Sequence, residues 1–239
     1  MAIPKIVTPT YECIIPSTKQ KIQYRPFLVK EEKVMLVALE SDDDNAIQEA
    51  VIQIISNCIV TPGVKVNALS IFDFEYLFLQ VRSKSVGEVV NLKLKCPDDE
   101  KVLVDHALHI DELEVKFPEE HKLEIPFTKD YGVIMKYPTI KSFRKDVNPA
   151  VMSFELFKDC IQTIYKGDET YDKGNIEAKE LDEWIDTLTP EYYNKVLAWF
   201  KTMPKIQAQD QHRFPSPKVP LTLFHLMNIY DGESMRNLL

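Results

Sequence analysis

The segment Lys179–Lys205 limits the possible folds of this chain most strongly, because it carries two helical patterns around a single break. Thr189 and Pro190 mark that break, since threonine caps free helical N–H groups and proline suits the first turn of the next helix. On both sides, apolar side chains recur at the three- and four-residue spacing of an amphipathic helix. These side chains are Leu181, Trp184, Ile185 and Leu188, followed by Tyr193, Val196, Leu197 and Phe200. We predict two packed helices that serve as scaffold, with Trp184 and Phe200 as their largest apolar side chains.

The first part of the chain predicts a β-hairpin followed by helices. Apolar and polar residues alternate in Tyr11–Tyr24 around a central turn, which is typical of a hairpin. Residues Val29–Glu40 favour a helix, and Ser41 or Asp42 is placed to cap a second helix that reaches Cys58. We interpret the three successive aspartates at 42–44 as the acidic start of this second helix rather than as a metal site.

A third helix is predicted for Ser70–Arg82, which is apolar nearly all round. Its polar side chains Asp73, Gln80 and Lys84 fall on one narrow line. A helix with so little polar surface is expected to be buried in its domain rather than laid on the outside.

Period-two alternation dominates the middle of the chain. The segment Val90–Ile110 alternates on both sides of a polar tip at Pro97–Glu100, and it gives the clearest hairpin signal in the sequence. Two further extended pieces, Lys122–Phe127 and Tyr131–Tyr137, are bounded by proline. Residues 88–137 are therefore predicted to be a β-rich section.

Beyond Thr139 the pattern predicts helix again, with a polar loop at Gly167–Asn175 before the helix pair. The predicted helical stripe consists of Val151, Phe154, Phe157, Ile161, Ile164 and Tyr165. Residues Lys205–Pro220 are polar and proline-rich, which indicates an extended link, and the apolar segment Leu221–Tyr230 follows it. Candidate partner-binding side chains in that segment are Leu221, Leu223, Phe224, Leu226, Met227, Ile229 and Tyr230.

These patterns together predict an α+β fold. We divide the chain into an N-terminal hairpin with helices at 1–87, the β-rich section at 88–137, a helical section at 138–204, and the link with its apolar segment at 205–239.

Composition excludes several functional classes. A formal charge of −8 disfavours nucleic acid, because affinity for phosphate backbones comes from clustered Lys and Arg. The six glycines form no nucleotide-binding or nucleophile-elbow motif, so we predict no cofactor. The four cysteines lie far apart and predict reduced thiols, three of them small core residues. No long apolar window and no apolar leader occur, so we expect an intracellular protein without membrane insertion.

Catalytic and metal sites receive little support from the sequence. The cluster Asp105, His106, His109 and Asp111 is the one alternative worth retaining, as a metal-dependent hydrolase site. On a strand, however, residues 106 and 109 point to opposite faces. The Gly167–Asn175 loop lacks the oxygen ligands of a calcium loop and predicts a helix start at Asn175, and Glu119-Glu120-His121 is interpreted as a polar loop. We therefore predict no catalytic residues, no metal and no small-molecule substrate.

Three blocks of the sequence resemble a known family. They are YECIIPSTKQKIQYRPFLVKEEKVMLVALES from Tyr11, QVRSKSVGEVVNLKLKCPDDE from Gln80, and ELDEWIDTLTPEYYNKVLAWFKTMPKI from Glu180. In this order they resemble the baseplate hub and hub-assembly proteins of T4-like contractile-tailed bacteriophages. The block containing RPFLVKEEK is the most specific of the three.

The resemblance implies a phage tail morphogenesis protein without enzymatic activity. It would be a subunit of the central hub of the baseplate, or a factor that helps other hub proteins to assemble in the host cytoplasm. Its partners would be other hub proteins. Independently of the resemblance, the candidate contact surfaces are the hairpin Leu92–Val104, whose strand edges are expected to be exposed, and the apolar segment Leu221–Tyr230. Relatives often continue the central cysteine as a CPxC-like knuckle, whereas Cys96-Pro97-Asp98-Asp99 keeps one sulfur, so no zinc is predicted.

Overall fold

The computed structural model describes residues 6–41, 43–95, 103–143 and 149–208, and within them the fold is α+β as predicted. The chain divides into two compact units. Unit 1 contains the described residues of Met1–Lys116 and Lys205–Leu239, and unit 2 contains those of Phe117–Pro204. Short 3-10 helices lie at Val66–Ala68, Ile110–Glu112, Ile140–Ser142 and Lys173–Asn175. The four-section division made from the sequence stays a prediction.

Unit 1 begins with the predicted hairpin, in which β1 (Tyr11–Ile14) pairs antiparallel with β2 (Lys21–Tyr24). Three helices follow: α1 (Val29–Glu40), α2 (Asp44–Cys58) and α3 (Ile71–Ser85). The cap of α2 was predicted one or two residues too early. Asp43 is the N-cap, and its carboxylate accepts a hydrogen bond of 2.9 Å from the backbone N–H of Asn45.

Helix α3 is the buried helix that the sequence predicted, with Phe72, Phe74 and Leu77 almost fully enclosed. The prediction was wrong for Asp73, which is not on a solvated line but only 1% exposed. Its carboxylate accepts a 2.9 Å hydrogen bond from the backbone N–H of Ser17 and further bonds from the hydroxyls of Ser17 and Ser70. These donors compensate for burying the charge, because they replace the water that Asp73 loses.

Two further strand pairs complete unit 1. β3 (Val89–Lys95) pairs antiparallel with β4 (Leu103–His109), which confirms the central hairpin, and its tip lies outside the described residues. β5 (Leu113–Lys116) pairs antiparallel with β10 (Lys205–Ala208).

Strand β10 corrects the prediction of an extended link starting at Lys205. Its central side chain, Ile206, is 2% exposed and packs with Leu79, Leu108 and Leu113. One apolar residue in a polar run gives no periodic signal, so only the distant partner strand makes this segment a strand.

Unit 2 is built on a four-stranded antiparallel sheet with the strand order β6-β7-β8-β9. The strands are β6 (Glu124–Thr128), β7 (Tyr131–Met135), β8 (Ile161–Lys166) and β9 (Glu169–Asp172). The helices are α4 (Pro149–Cys160), α5 (Ala178–Asp186) and α6 (Pro190–Thr202). Strands β6 and β7 confirm the two extended pieces that the sequence predicted.

The predicted helical stripe from Val151 to Tyr165 is wrong in its second half. Helix α4 ends at Cys160, and Ile161–Lys166 forms β8, which pairs with β7 on one side and β9 on the other. The β-branched and aromatic residues of β8 suit a strand, and no glycine or proline separates it from the helix. The polar loop predicted at Gly167–Asn175 contains β9, whose four side chains are all exposed at the edge of the sheet.

The two helices at the end of unit 2, and the break between them, are confirmed. The Thr189 hydroxyl accepts a hydrogen bond from the backbone N–H of Tyr192, and Pro190 is the first residue of α6. Two details were wrong. Helix α5 begins at Ala178 rather than Asn175, and the most buried aromatic side chain of α6 is Trp199, which is 5% exposed, rather than the half-buried Phe200.

Candidate interaction surfaces

The β3–β4 hairpin was predicted as a contact surface because of its exposed strand edges. The two strands form seven paired positions, from Val89 opposite His109 to Lys95 opposite Leu103. In the described part of the chain, β3 and β4 pair only with each other. Each strand therefore has one edge without a strand partner there, and such an edge can accept a strand from another chain.

The other predicted contact surface lies outside the described residues. This is the apolar segment Leu221–Tyr230 with its candidate side chains. Its role in binding stays a prediction.

The residues proposed for a metal-dependent hydrolase do not receive support from the fold. His106 and His109 are three positions apart on strand β4, and positions at an odd spacing belong to opposite faces of a strand. Asp111 lies beyond the strand, in the 3-10 helix Ile110–Glu112. Among the residues whose side chains are described, no three His, Cys, Asp or Glu residues form a group that could hold a metal ion.

Three of the four cysteines are buried free thiols, as expected for core residues. Burial raises the pKa of Cys13 and Cys58 to about 11, and that of Cys160 to about 12. Since the thiolate is the reactive form, these side chains are poor nucleophiles near pH 7.

Glu119-Glu120-His121 lies outside helices and strands, as predicted, but the His121 side chain packs in an aromatic site. Its ring stacks on Tyr137 with centroids 5.6 Å apart and lies 5.1 Å from the ring of Trp199. Nδ1 lies 2.9 Å from the hydroxyl oxygen of Thr202. Burial lowers the pKa of His121, because the charged imidazolium would lose water. This histidine packs unit 2 together, and no sequence motif marks it.

A groove between helices α4 and α5 is a surface feature that the sequence did not predict. It has a volume of about 310 Å³ and combines apolar walls with a charged rim. The lining side chains are Val151, Phe154, Glu155, Lys158, Asp182, Ile185 and Asp186. Val151 and Phe154 are 45% and 42% exposed, and the Phe154 ring stacks on Tyr193 at 4.4 Å, which fixes its orientation.

The rim of this groove is acidic overall, with three carboxylates against one ammonium group. Lys158 forms an ion pair with Asp182, and the hydrogen bond in that pair raises the pKa of Lys158. Glu155 and Asp186 add negative charge beyond that pair. A segment that carries apolar side chains beside Lys or Arg fits such a surface.

The sequence placed Val151 and Phe154 on one helical stripe with Phe157, because their spacing matches a helix. In the structure Phe157 is fully buried, whereas the other two face the groove. Charged Glu155 and Lys158, within one turn of Phe154, were the available signal that this side of α4 is solvated.

No helix among the described residues is long and apolar enough to cross a membrane.

Comparison with known proteins identifies one matching family. A family model described as T4 bacteriophage base plate protein matches residues 8–218 of the chain. No curated protein and no solved structure matches the chain significantly.

Proposed function

The chain belongs to the T4 bacteriophage base plate protein family, and from this premise we propose that it acts in the assembly of the central hub of the tail baseplate. It acts there as a hub subunit or as a factor that assists the other hub proteins and then leaves. The observation that carries the proposal is the family match, which extends over residues 8–218 and so includes both units.

The action we propose is protein binding without catalysis. The described cysteines support it, because burial holds their pKa values far above neutral pH. The spacing of His106 and His109 supports it as well, since positions three apart on strand β4 belong to opposite faces. We place this work in the host cytoplasm, where tails are assembled, and in the baseplate for as long as the protein stays bound.

The proposed contacts use three surfaces, and two of them lie among the described residues. The free edges of β3 and β4 suit strand addition by a neighbouring hub protein, in which backbone hydrogen bonds supply the affinity. The groove on α4 and α5 suits an amphipathic segment of a neighbour that presents Lys or Arg to Glu155 and Asp186. The segment Leu221–Tyr230 remains a third proposed contact.

Depletion of the protein during infection tests the function. We expect tails to stop before a complete baseplate forms, and a plasmid copy of the wild-type chain to restore assembly. Electron microscopy and sedimentation of the accumulated structures would show the block. Normal baseplates with complete hubs in depleted cells would overturn the proposal.

Plasmid copies with single substitutions then test the groove. Phe154→Glu adds a charge to its apolar wall and should prevent rescue. Tyr171→Glu is the matched control, because Tyr171 is 47% exposed on edge strand β9 of the same unit. Full rescue by Phe154→Glu would remove the groove from the proposal while leaving the hub function in place.

A further inference from the structure

Helix α1 carries apolar side chains on two opposite faces. Met35 and Ala38 are buried in unit 1, whereas Val29, Leu36 and Val37 are 65%, 45% and 68% exposed. Apolar side chains exposed on one helix face suit a binding surface, because burial against a partner removes apolar area from water.

The exposed face of α1 also carries charges in a symmetric order. At about 100° per residue, Val29, Lys33, Leu36, Val37 and Glu40 fall within an arc of about 100°. Lys33 precedes Leu36 by three residues, and Glu40 follows Val37 by three residues. From Lys33 to Glu40 the face therefore reads positive, apolar, apolar, negative along the helix axis, with its centre between Leu36 and Val37, and Val29 lies one turn before Lys33.

This order is complementary to itself when a second copy runs antiparallel. A two-fold axis between Leu36 and Val37 brings Lys33 of each copy opposite Glu40 of the partner copy. Lys33 and Glu40 are separated by about 10 Å along the helix, so both ion pairs flank one apolar centre. A parallel arrangement would place Lys33 against Lys33 and is disfavoured.

Hydrogen bonds of Glu31 hold the N-terminal turn of α1 in place, and this fixes the side of the helix that faces solvent. The buried carboxylate of Glu31 accepts a 2.9 Å hydrogen bond from Arg25 and another of 2.9 Å from the backbone N–H of Leu28. Charge-assisted bonds at a helix N-terminus orient the helix with little freedom.

We propose that the α1 face, defined as Val29, Lys33, Leu36, Val37 and Glu40, is a homodimer interface with two-fold symmetry. The occupant is a second copy of this chain, and the inference does not depend on the proposed hub function. One helix pair covers less than the roughly 800 Å² per partner of a standard interface. The dimer is therefore weak alone, and it forms where the protein is concentrated, as in an assembly.

Charge reversal tests the interface by sedimentation equilibrium up to about 0.5 mM, a concentration that detects weak association. The wild-type chain should self-associate. Lys33→Glu and Glu40→Lys should each weaken self-association by about tenfold or more, because each homodimer then opposes like charges twice. An equimolar mixture of the two variants should associate again, since the reversed charges then meet opposite charges. Lys65→Glu, at an exposed position of the same unit, is the control and should behave as wild type.

Circular dichroism of every variant shows whether the fold is retained, and surface reversals of this kind are expected to leave it intact. A wild-type chain that stays monomeric up to about 0.5 mM would overturn the proposal. Single variants that associate as well as wild type, or a mixture that associates no better than its components, would overturn it too.

Discussion

The two units of the molecule bury different kinds of polar group. Among the described residues, unit 1 contains every buried charged side chain: Glu31, Asp73, Glu75 and Arg82. In unit 2, two large aromatic rings, the buried Trp199 and the half-buried Trp184, have their polar atoms paired nearby. Trp199 donates from Nε1 to the backbone carbonyl of Lys122 at 2.8 Å, and Trp184 donates to the Tyr131 hydroxyl at 2.6 Å.

This difference indicates two ways of fixing loops to helices. In unit 1, Glu31 and Asp73 each hold a separate stretch of chain by charge-assisted hydrogen bonds, which are strong only while every partner is present. In unit 2, large rings fill the space between sheet and helices, and their hydrogen bonds add direction to packing. Removing a charge partner should therefore destabilise unit 1 about as much as removing a large aromatic ring destabilises unit 2.

The largest effect is expected for Arg25→Leu. Arg25 donates to Glu31 at 2.9 Å, and the Glu31 side chain is 1% exposed. The variant leaves this buried carboxylate with only the exposed ammonium of Lys30, 3.4 Å away, as a cationic partner. We expect a loss of about 3–5 kcal/mol in the free energy of unfolding. Urea unfolding followed by circular dichroism would measure it.

Lys21→Ala is the control for Arg25→Leu. It breaks the exposed ion pair of Lys21 with Glu12, in which both side chains are at least half exposed. The variant should lose much less stability than Arg25→Leu, because water screens an exposed ion pair. Equal losses in the two variants would mean that the Arg25–Glu31 pair is not the anchor described here.

A comparable effect is expected for Trp199→Ala in unit 2. The indole is 5% exposed in a cluster with His121, Tyr137 and Phe200, and its removal leaves a cavity. We expect a loss of about 3–5 kcal/mol. Phe200→Ala, one position further on, should lose about 1–2 kcal/mol, since a half-buried ring removes less apolar surface from water. A larger loss for Phe200→Ala than for Trp199→Ala would mean that the buried face of α6 is the one containing Phe200, as the sequence predicted.

A smaller effect is expected for the bond between Trp184 and Tyr131. Trp184→Phe removes the indole donor while an aromatic ring still packs near Phe127 and Phe157. The coupling energy in a double-mutant cycle with Tyr131→Phe should be about 1 kcal/mol. Additive losses, with no coupling, would show that the two side chains contribute separately.

The smallest effect is a pH dependence at His121. Burial lowers its pKa in the folded chain, so below its usual value of about 6.5 the unfolded chain binds more protons. The contribution of this site to stability is therefore present above that pH and is lost on acidification. His121→Phe keeps a ring beside Tyr137 and Trp199 but cannot titrate. Wild-type stability should fall relative to the variant between about pH 7.5 and 5.5, and parallel curves would contradict this assignment.

The sequence predicted elements whose signal is local. Alternation in Tyr11–Tyr24 and the break at Thr189-Pro190 are read from neighbouring residues, and both are confirmed. Strand β8 was missed because it follows α4 without a breaker, and its strand state depends on pairing with β7 and β9. Strand β10 depends in the same way on β5, which lies far away in the chain.

Surfaces were harder to predict than elements. Helix α1 is apolar on both sides, so periodicity alone does not say that Met35 is buried while Val37 is exposed. The groove requires α4 and α5 to lie side by side, and no local pattern contains that information. Buried Asp73 was misplaced because its hydrogen-bond donor Ser17 is 56 residues away.

The central claim is that the protein works in hub assembly, and quantitative mass spectrometry tests it most directly. Baseplate assembly intermediates from infected cells would be purified and compared with mature particles. We expect the chain to be present in hub-containing intermediates at a fixed ratio to the other hub proteins. Persistence in mature particles at that ratio identifies a hub subunit, and loss on maturation identifies an assembly factor. Absence from every hub-containing intermediate would contradict the account.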